Sequence, residues 1–153
     1  MGEAQFLDEK KVRRAIVDWL GRKGYDRRLR EKATEEHGVD ISVLHKNYPR
    51  YFFVEVKGDA NPKTVKHPGS RREVAFLQAL GQIITRMKTG ASYHYAVGFP
   101  SSYSDKIKRR LPWRFCKDNG LSVLLVSPHG KVSEMKWRDL KVFQSSKRPT
   151  GLK

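Results

Sequence analysis

Cysteine is almost missing from this chain. The single Cys116 excludes an internal disulfide framework and a cysteine-based zinc site. Long apolar runs are missing too. Stretches such as Leu121 to Val126 are far too short to cross a bilayer. The start, Met-Gly-Glu-Ala-Gln, runs straight into charged residues, so no secretory hydrophobic segment is expected there. No Walker-type glycine loop occurs, which argues against ATP dependence. The five histidines, His37, His45, His67, His94 and His129, have no metal-ligand spacing and read as loop or surface residues. Ser101, Ser102 and Ser104 have no identifiable base partner, which argues against serine-based hydrolysis. Repeats and low-complexity linkers are absent as well. What is present suffices for one folded unit: 153 residues, 38% hydrophobic and 10% aromatic, enough for a core in one domain. The expected location is cytoplasmic.

Acidic residues are scarce relative to basic ones. Lysine and arginine number 32 against 16 aspartates and glutamates, a net charge of +16. A surplus of this size on a small domain attracts polyanions. The basic residues cluster at Lys10 to Arg14, Arg22 to Arg30, Lys63 to Arg72 and Lys106 to Lys117. Residues 145–153 read as a basic, flexible tail holding only three of them, so the surplus belongs to the domain spanning 1–144. Nucleic acid is the expected partner. A membrane surface fits less well, because the basic stretches do not match one clean amphipathic helix.

The apolar periodicity predicts a helix from about Ala4 to Arg22, with Val12, Ala15, Ile16, Trp19 and Leu20 inward. Tyr25 to Ala33 reads as a charged strand near a sheet edge, and Thr34 to Gly38 as a loop. Val39 to Leu44 and Tyr51 to Val56 read as two strands joined by a short turn. After a break at Gly58-Asp59-Ala60-Asn61-Pro62 and a basic loop, a second helix is predicted from Ser70. Its signal is the capping box Ser70-Arg71-Arg72-Glu73, and its inward stripe is Val74, Leu77, Leu80, Ile84 and Met87. Tyr93 to Phe99 reads as a strand, with Gly98-Phe99-Pro100 as the turn that ends it. Tyr103 to Asp118 reads as a helix broken by Pro112. Leu121 to Val126 and Lys131 to Trp137 read as the last strands. The predicted order is α-β-β-β-α-β-α-β-β, an α/β fold with a mixed sheet flanked by helices. Trp19, Trp113 and Trp137 are assigned to the core.

The most informative segment joins Gly38-Val39-Asp40 to Phe53-Val54-Glu55-Val56-Lys57. A hairpin in which His45 faces Arg50 puts Leu44 opposite Tyr51, Ser42 opposite Phe53 and Asp40 opposite Glu55. Val39, Ile41, Val43, Phe52, Val54 and Val56 then share one wholly apolar face, which supports this register. Asp40, Glu55 and Lys57 share the other. Directly opposed residues have Cβ atoms roughly 5 Å apart, where two bare carboxylates repel by about 3 kcal/mol at an effective dielectric near 20. A hard divalent cation removes that penalty, and the oxygen donors suit Mg²⁺ or Mn²⁺. Lys57 adds an ammonium group on the same side, able to orient a water or stabilise charge on a phosphate. Together these groups suit phosphodiester hydrolysis.

At this point the chain resembles the PD-(D/E)XK nuclease superfamily, over most of residues 6–100. Val39-Asp40 stands where that motif has Pro-Asp, and Glu55-Val56-Lys57 is its (D/E)XK part. The proline is missing, but it carries no metal ligand. The resemblance implies a restriction-endonuclease-like core and a Mg²⁺- or Mn²⁺-dependent endonuclease acting on double-stranded or branched DNA. Asp40, Glu55 and the backbone carbonyl of Val56 would be the metal ligands, and Lys57 would be catalytic. Several members add a glutamate from the first helix; Glu9 is the match here, with Glu35 and Glu36 as competitors. Gln78 and Gln82, one turn apart on the capped helix, match a glutamine that contacts the site in some members. Lys63, Lys66, Arg71 and Arg72 are candidates for nucleic-acid contact. Small size and basicity are similar to Holliday-junction resolvases, but restriction, repair and phage nucleases look alike at this level. A homodimer is expected on the same resemblance. The alternatives are a non-catalytic nucleic-acid-binding module with this fold, or an RNA- or ribosome-associated protein.

Overall fold

A computed structural model describes residues 6–25, 27–28, 40–59, 63, 66–88 and 92–146. Helix α1 covers Glu9–Arg22. It begins at Glu9 because Asp8 caps it, the carboxylate accepting a bond from the Lys11 N–H at 2.8 Å. Its buried side is Val12, Ile16 and Leu20, the spacing of one narrow stripe; Ala15 and Trp19 are half-buried beside it. Strand β1 is Arg27–Arg28, β2 is Ile41–Leu44 and β3 is Tyr51–Val56. The remainder of the predicted first strand, the following loop with Glu35, Glu36 and His37, and Val39 lie outside the described residues. Helix α2 covers Pro68–Ile84 and strand β4 Tyr93–Pro100. A 3-10 turn at Ser101–Tyr103 leads to α3 (Ser104–Arg110) and α4 (Trp113–Asn119). Strands β5 (Leu121–Val126) and β6 (Val132–Met135) and helix α5 (Trp137–Ser146) complete the chain.

The six strands form one mixed sheet in the order β1-β2-β3-β4-β5-β6. The first three are antiparallel neighbours, β3, β4 and β5 are parallel, and β6 returns antiparallel. The charged β1 is at an edge, as its composition predicts. The predicted hairpin register is realised: Ile41 faces Val54, Ser42 Phe53, Val43 Phe52 and Leu44 Tyr51, and the His45 N–H donates to the Arg50 carbonyl at 2.9 Å.

Each sheet face carries its own core. On one face α1 packs Val12, Ile16 and Leu20 against Ile41, Val43, Phe52, Val54, Val56, Ala96 and Leu124. On the other, α2 to α5 cover Tyr95, Val97, Phe99, Val123 and Leu125. Gly98 permits the first contact, since a Cβ there would meet the Ile16 side chain at 2.4 Å.

Four expectations are corrected. Helix α2 starts at Pro68, whose fixed φ suits a first turn, and His67 at the cap position makes no side-chain bond. The Ser70–Glu73 box does not form: Glu73 reaches Lys106 Nζ at 2.9 Å and pairs with Arg110. The inward face of α2 is Ala75, Phe76, Ala79 and Ile83. Val74, Leu77 and Ile84, assigned inward by sequence, are 47%, 50% and 44% exposed. The two alanines let the helix lie close to the sheet, with Phe76 reaching Phe99. Strand β4 runs on through Gly98, Phe99 and Pro100, because these residues pair with Leu124, Leu125 and Val126 of β5. Finally, α5 follows β6 and extends to Ser146, two residues into the stretch read as tail. Gln144 anchors it, accepting from the Trp113 N–H at 3.3 Å and donating to the Lys108 and Leu111 carbonyls at 3.1 and 2.7 Å.

Candidate active site

Among the described residues the β2–β3 pairing ends at Ile41 and Val54, and Asp40 immediately precedes it. The paired register runs from Leu44 down to Ile41, and one further step sets Asp40 opposite Glu55. The Asp40 carboxylate bonds to the β3 backbone: Oδ2 accepts the Val56 N–H at 2.8 Å. A side-chain oxygen thus satisfies a backbone donor of β3, and it ties Asp40 to the residue that follows Glu55 in the strand.

Glu55 is the only charged residue among the described residues that is buried, at 2% exposure. It pairs with Val97 of β4, whose side chain belongs to the α2 face, so Glu55 lies on that face. Lys57, two residues on, points to the same side and is half-buried. Its N–H donates to the Gly98 carbonyl at 3.0 Å, which extends the β3–β4 pairing by one residue and fixes the backbone carrying the amine.

Helix α1 supplies the remaining groups. Glu9 is its first residue and lies 46% exposed at its side chain. The same nitrogen of Arg13, Nη2, is 3.4 Å from Glu9 Oε2 and 3.5 Å from Asp40 Oδ1. Glu9 and Asp40, far apart in the chain, are therefore both within reach of one positive group. The device that brings α1 to the site is Gly58. A Cβ at this position would lie 2.1 Å from the Glu9 nitrogen and 2.4 Å from the Asp8 carbonyl carbon, so only glycine lets the chain after Lys57 pass against the start of the helix. The contact is sealed by the Asp59 N–H, which donates to the Leu7 carbonyl at 2.7 Å.

The far side of this segment is tied to the turn after β4. Tyr103, fully buried, donates its hydroxyl to the Gly58 carbonyl at 3.0 Å. Burial, reinforced by the nearby Asp59 carboxylate, pushes this phenol up to about 12, so it stays a donor. Ser102 Oγ donates to Asp59 Oδ1 at 2.9 Å, and Arg72 Nε is 3.9 Å from the same oxygen. Residues 57–59 are thus held by α1, by the 3-10 turn and by α2.

Among the described residues, no three or more His, Cys, Asp or Glu side chains form a metal-binding group. A guanidinium instead occupies the space between Glu9 and Asp40. The donor chemistry still fits a hard cation. Asp40, just before β2, and Glu55, on β3, offer carboxylate oxygens, and Arg13 marks a point where a positive charge is drawn between Glu9 and Asp40. Gln78 and Gln82 are exposed on α2, on the flank that borders the Ala75–Ala79 face. Lys63, Lys66 and Arg71 are exposed as well, while Arg72 is half-buried beside Asp59. Sequence reasoning missed Arg13, Gly58, Asp59 and Tyr103. Only Arg13 carried a signal, its spacing of one turn from Glu9.

No protein-family model, no curated protein and no solved structure matches this chain. No helix among the described residues is long and apolar enough to cross a membrane.

Proposed function

We propose that this protein is a metal-dependent endonuclease that hydrolyses phosphodiester bonds in DNA, with the restriction-endonuclease-like core implied by its (D/E)XK segment. The observation that carries the reading is the Asp40 carboxylate docked on the N–H of Val56, the residue between buried Glu55 and Lys57. The position supports it too. The site lies at the carboxyl end of β3, beside its parallel neighbour β4, and in α/β sheets ligands bind at such strand ends.

In this reading Asp40, Glu55 and the Val56 carbonyl would hold Mg²⁺ or Mn²⁺. When bound, such an ion supplies Lewis acidity and neutralises phosphate charge. The chain's own groups do the rest. Lys57 orients the attacking water and stabilises negative charge on the phosphate. Glu9 contributes a further acid from α1. The basic surface holds the DNA backbone, largely without reading sequence.

A second reading is a nucleic-acid-binding module without catalysis. It is favoured by one observation, the Arg13 guanidinium lying between Glu9 and Asp40. A panel of supercoiled, linear, single-stranded and four-way DNA, incubated with Mg²⁺ or Mn²⁺, separates the two. Cutting that disappears in Asp40→Asn and Lys57→Ala, with binding retained, supports the nuclease. Retarded mobility without cutting on every substrate supports the module.

A further inference from the structure

The α4–α5 surface has a composition that the core does not need. Trp113 and Trp137 open these two helices, and their rings stack with centroids 5.8 Å apart at 30°. Their inner edges join the core under α2 to α5, yet both are only half-buried. Four exposed cations stand over the outer ring faces. Lys141 Nζ is 4.8 Å and Arg114 Cζ 5.4 Å from the Trp113 ring, while Lys117 Nζ is 5.0 Å and Arg138 Cζ 5.3 Å from that of Trp137. Beside them Lys108 Nζ lies 5.7 Å from the Phe143 ring.

None of Arg114, Lys117, Arg138 and Lys141 forms an ion pair with a described residue. Arg13, Arg72, Lys106, Arg109, Arg110 and Lys136 all do. The two acids on these helices do not change this. Asp139 caps the start of α5, accepting the Lys136 N–H at 2.9 Å, and Asp118 is exposed on α4. Gathering four like charges on one small face costs stability unless something negative offsets them. The indole faces offset part of that cost. They also hold long, flexible side chains in fixed positions, which lowers the entropy lost when those side chains engage a ligand. The Gln144 bonds to α3 and α4 make the base of this surface rigid.

We infer that the α4–α5 surface is a nucleic-acid-binding face. Arg114, Lys117, Arg138 and Lys141 contact successive phosphates of the backbone, and Trp113 and Trp137 position them. A lipid surface fits less well, because the indole faces lie under the cations and are not open to enter an apolar layer. The inference needs only affinity for a polyanionic strand, not cleavage.

The test uses the full chain in EDTA with a fluorescent duplex of about 25 base pairs, followed by anisotropy across a salt series. The variant R114Q/K117Q/R138Q/K141Q is compared with K10Q/K11Q/R14Q/R22Q, which removes the same charge from α1 on the opposite face of the sheet. Each lost phosphate contact flattens the dependence of log affinity on log salt by about 0.9. The α4–α5 variant is expected to lose about 3.6 units of slope, four contacts at about 0.9 each, and at least tenfold in affinity, and the α1 variant clearly less. In a Trp19→Phe background the duplex is expected to change tryptophan emission, and the change should vanish with the four cations. Circular dichroism verifies that each variant is folded. Equal slopes for the two variants would overturn the inference, as would loss of binding to anionic vesicles with duplex binding intact.

Discussion

Replacing Gly58 by alanine tests the site's construction more sharply than altering any charged residue. The added Cβ would sit 2.1 Å from the Glu9 nitrogen, 2.4 Å from the Asp8 carbonyl carbon and 2.8 Å from the Glu9 Cα. All three are backbone atoms at a capped helix start, so no side chain can swing aside. Relief requires α1 and the 57–59 segment to separate by roughly an ångström, since ordinary contact begins near 3.4 Å. That movement pulls on the Asp59–Leu7 bond of 2.7 Å and shifts Glu9 and Arg13 relative to Asp40. Overpacking of this kind costs about 1–3 kcal/mol. Urea unfolding of Gly58→Ala should show that loss as a lower midpoint with an unchanged slope. Under conditions where the variant is fully folded, DNA cleavage should fall well beyond what the stability change explains. The reasoning is refuted if Gly58→Ala matches the parent in both stability and cleavage.

Tyr103→Phe removes the donor to the Gly58 carbonyl and should cost about 1 kcal/mol in urea unfolding. Because burial raises the folded phenol from its ordinary 10 to about 12, the tyrosine supports the fold below pH 10. That support is lost as the pH climbs through this window, so the phenylalanine variant should lose less stability there. Cys116 is buried, and burial pushes its thiol up to about 11; a thiol-specific disulfide reagent should react with it only on unfolding, and rapid reaction of the native protein would contradict the packing. Arg13→Gln frees Glu9 and Asp40 from their shared guanidinium, so calorimetry should show tighter Mn²⁺ binding; unchanged or weaker binding would mean that Arg13 does not compete for that space. His94 titrates below its ordinary value, chiefly through burial and then through Arg50. His94→Gln should therefore weaken the loss of stability that sets in as the pH falls below 6.5.

The hairpin that carries Asp40 and Glu55 was legible because alternation leaves little choice: any slip by one residue would turn Val43, Phe52 and Val54 to the wrong side. Helix α1 was equally legible from Val12, Ile16 and Leu20. The face of α2 was not, because the helix is apolar around much of its girth. Alanine counts for little in a periodicity reading, yet Ala75 and Ala79 set the depth of the contact with the sheet. Helix α5 was hidden by the serines that end it and the basic residues that follow; Asp139 caps its start locally, while Gln144 anchors its end through contacts distant in sequence. At the site, the carboxylates and the lysine could be read from spacing within two strands. The parts that fix them could not: Tyr103 reaches Gly58 and Arg13 reaches Asp40 only in the folded chain.

The most direct test of the central claim is the initial rate of DNA cleavage in Mn²⁺ by Asp40→Asn, at protein concentrations where variant and parent bind the DNA equally. Asparagine keeps an oxygen for the Val56 N–H and so preserves the local fold while removing the charge. Cleavage reduced to background, with DNA binding retained, is the expected result. Cleavage at the parental rate would contradict the site.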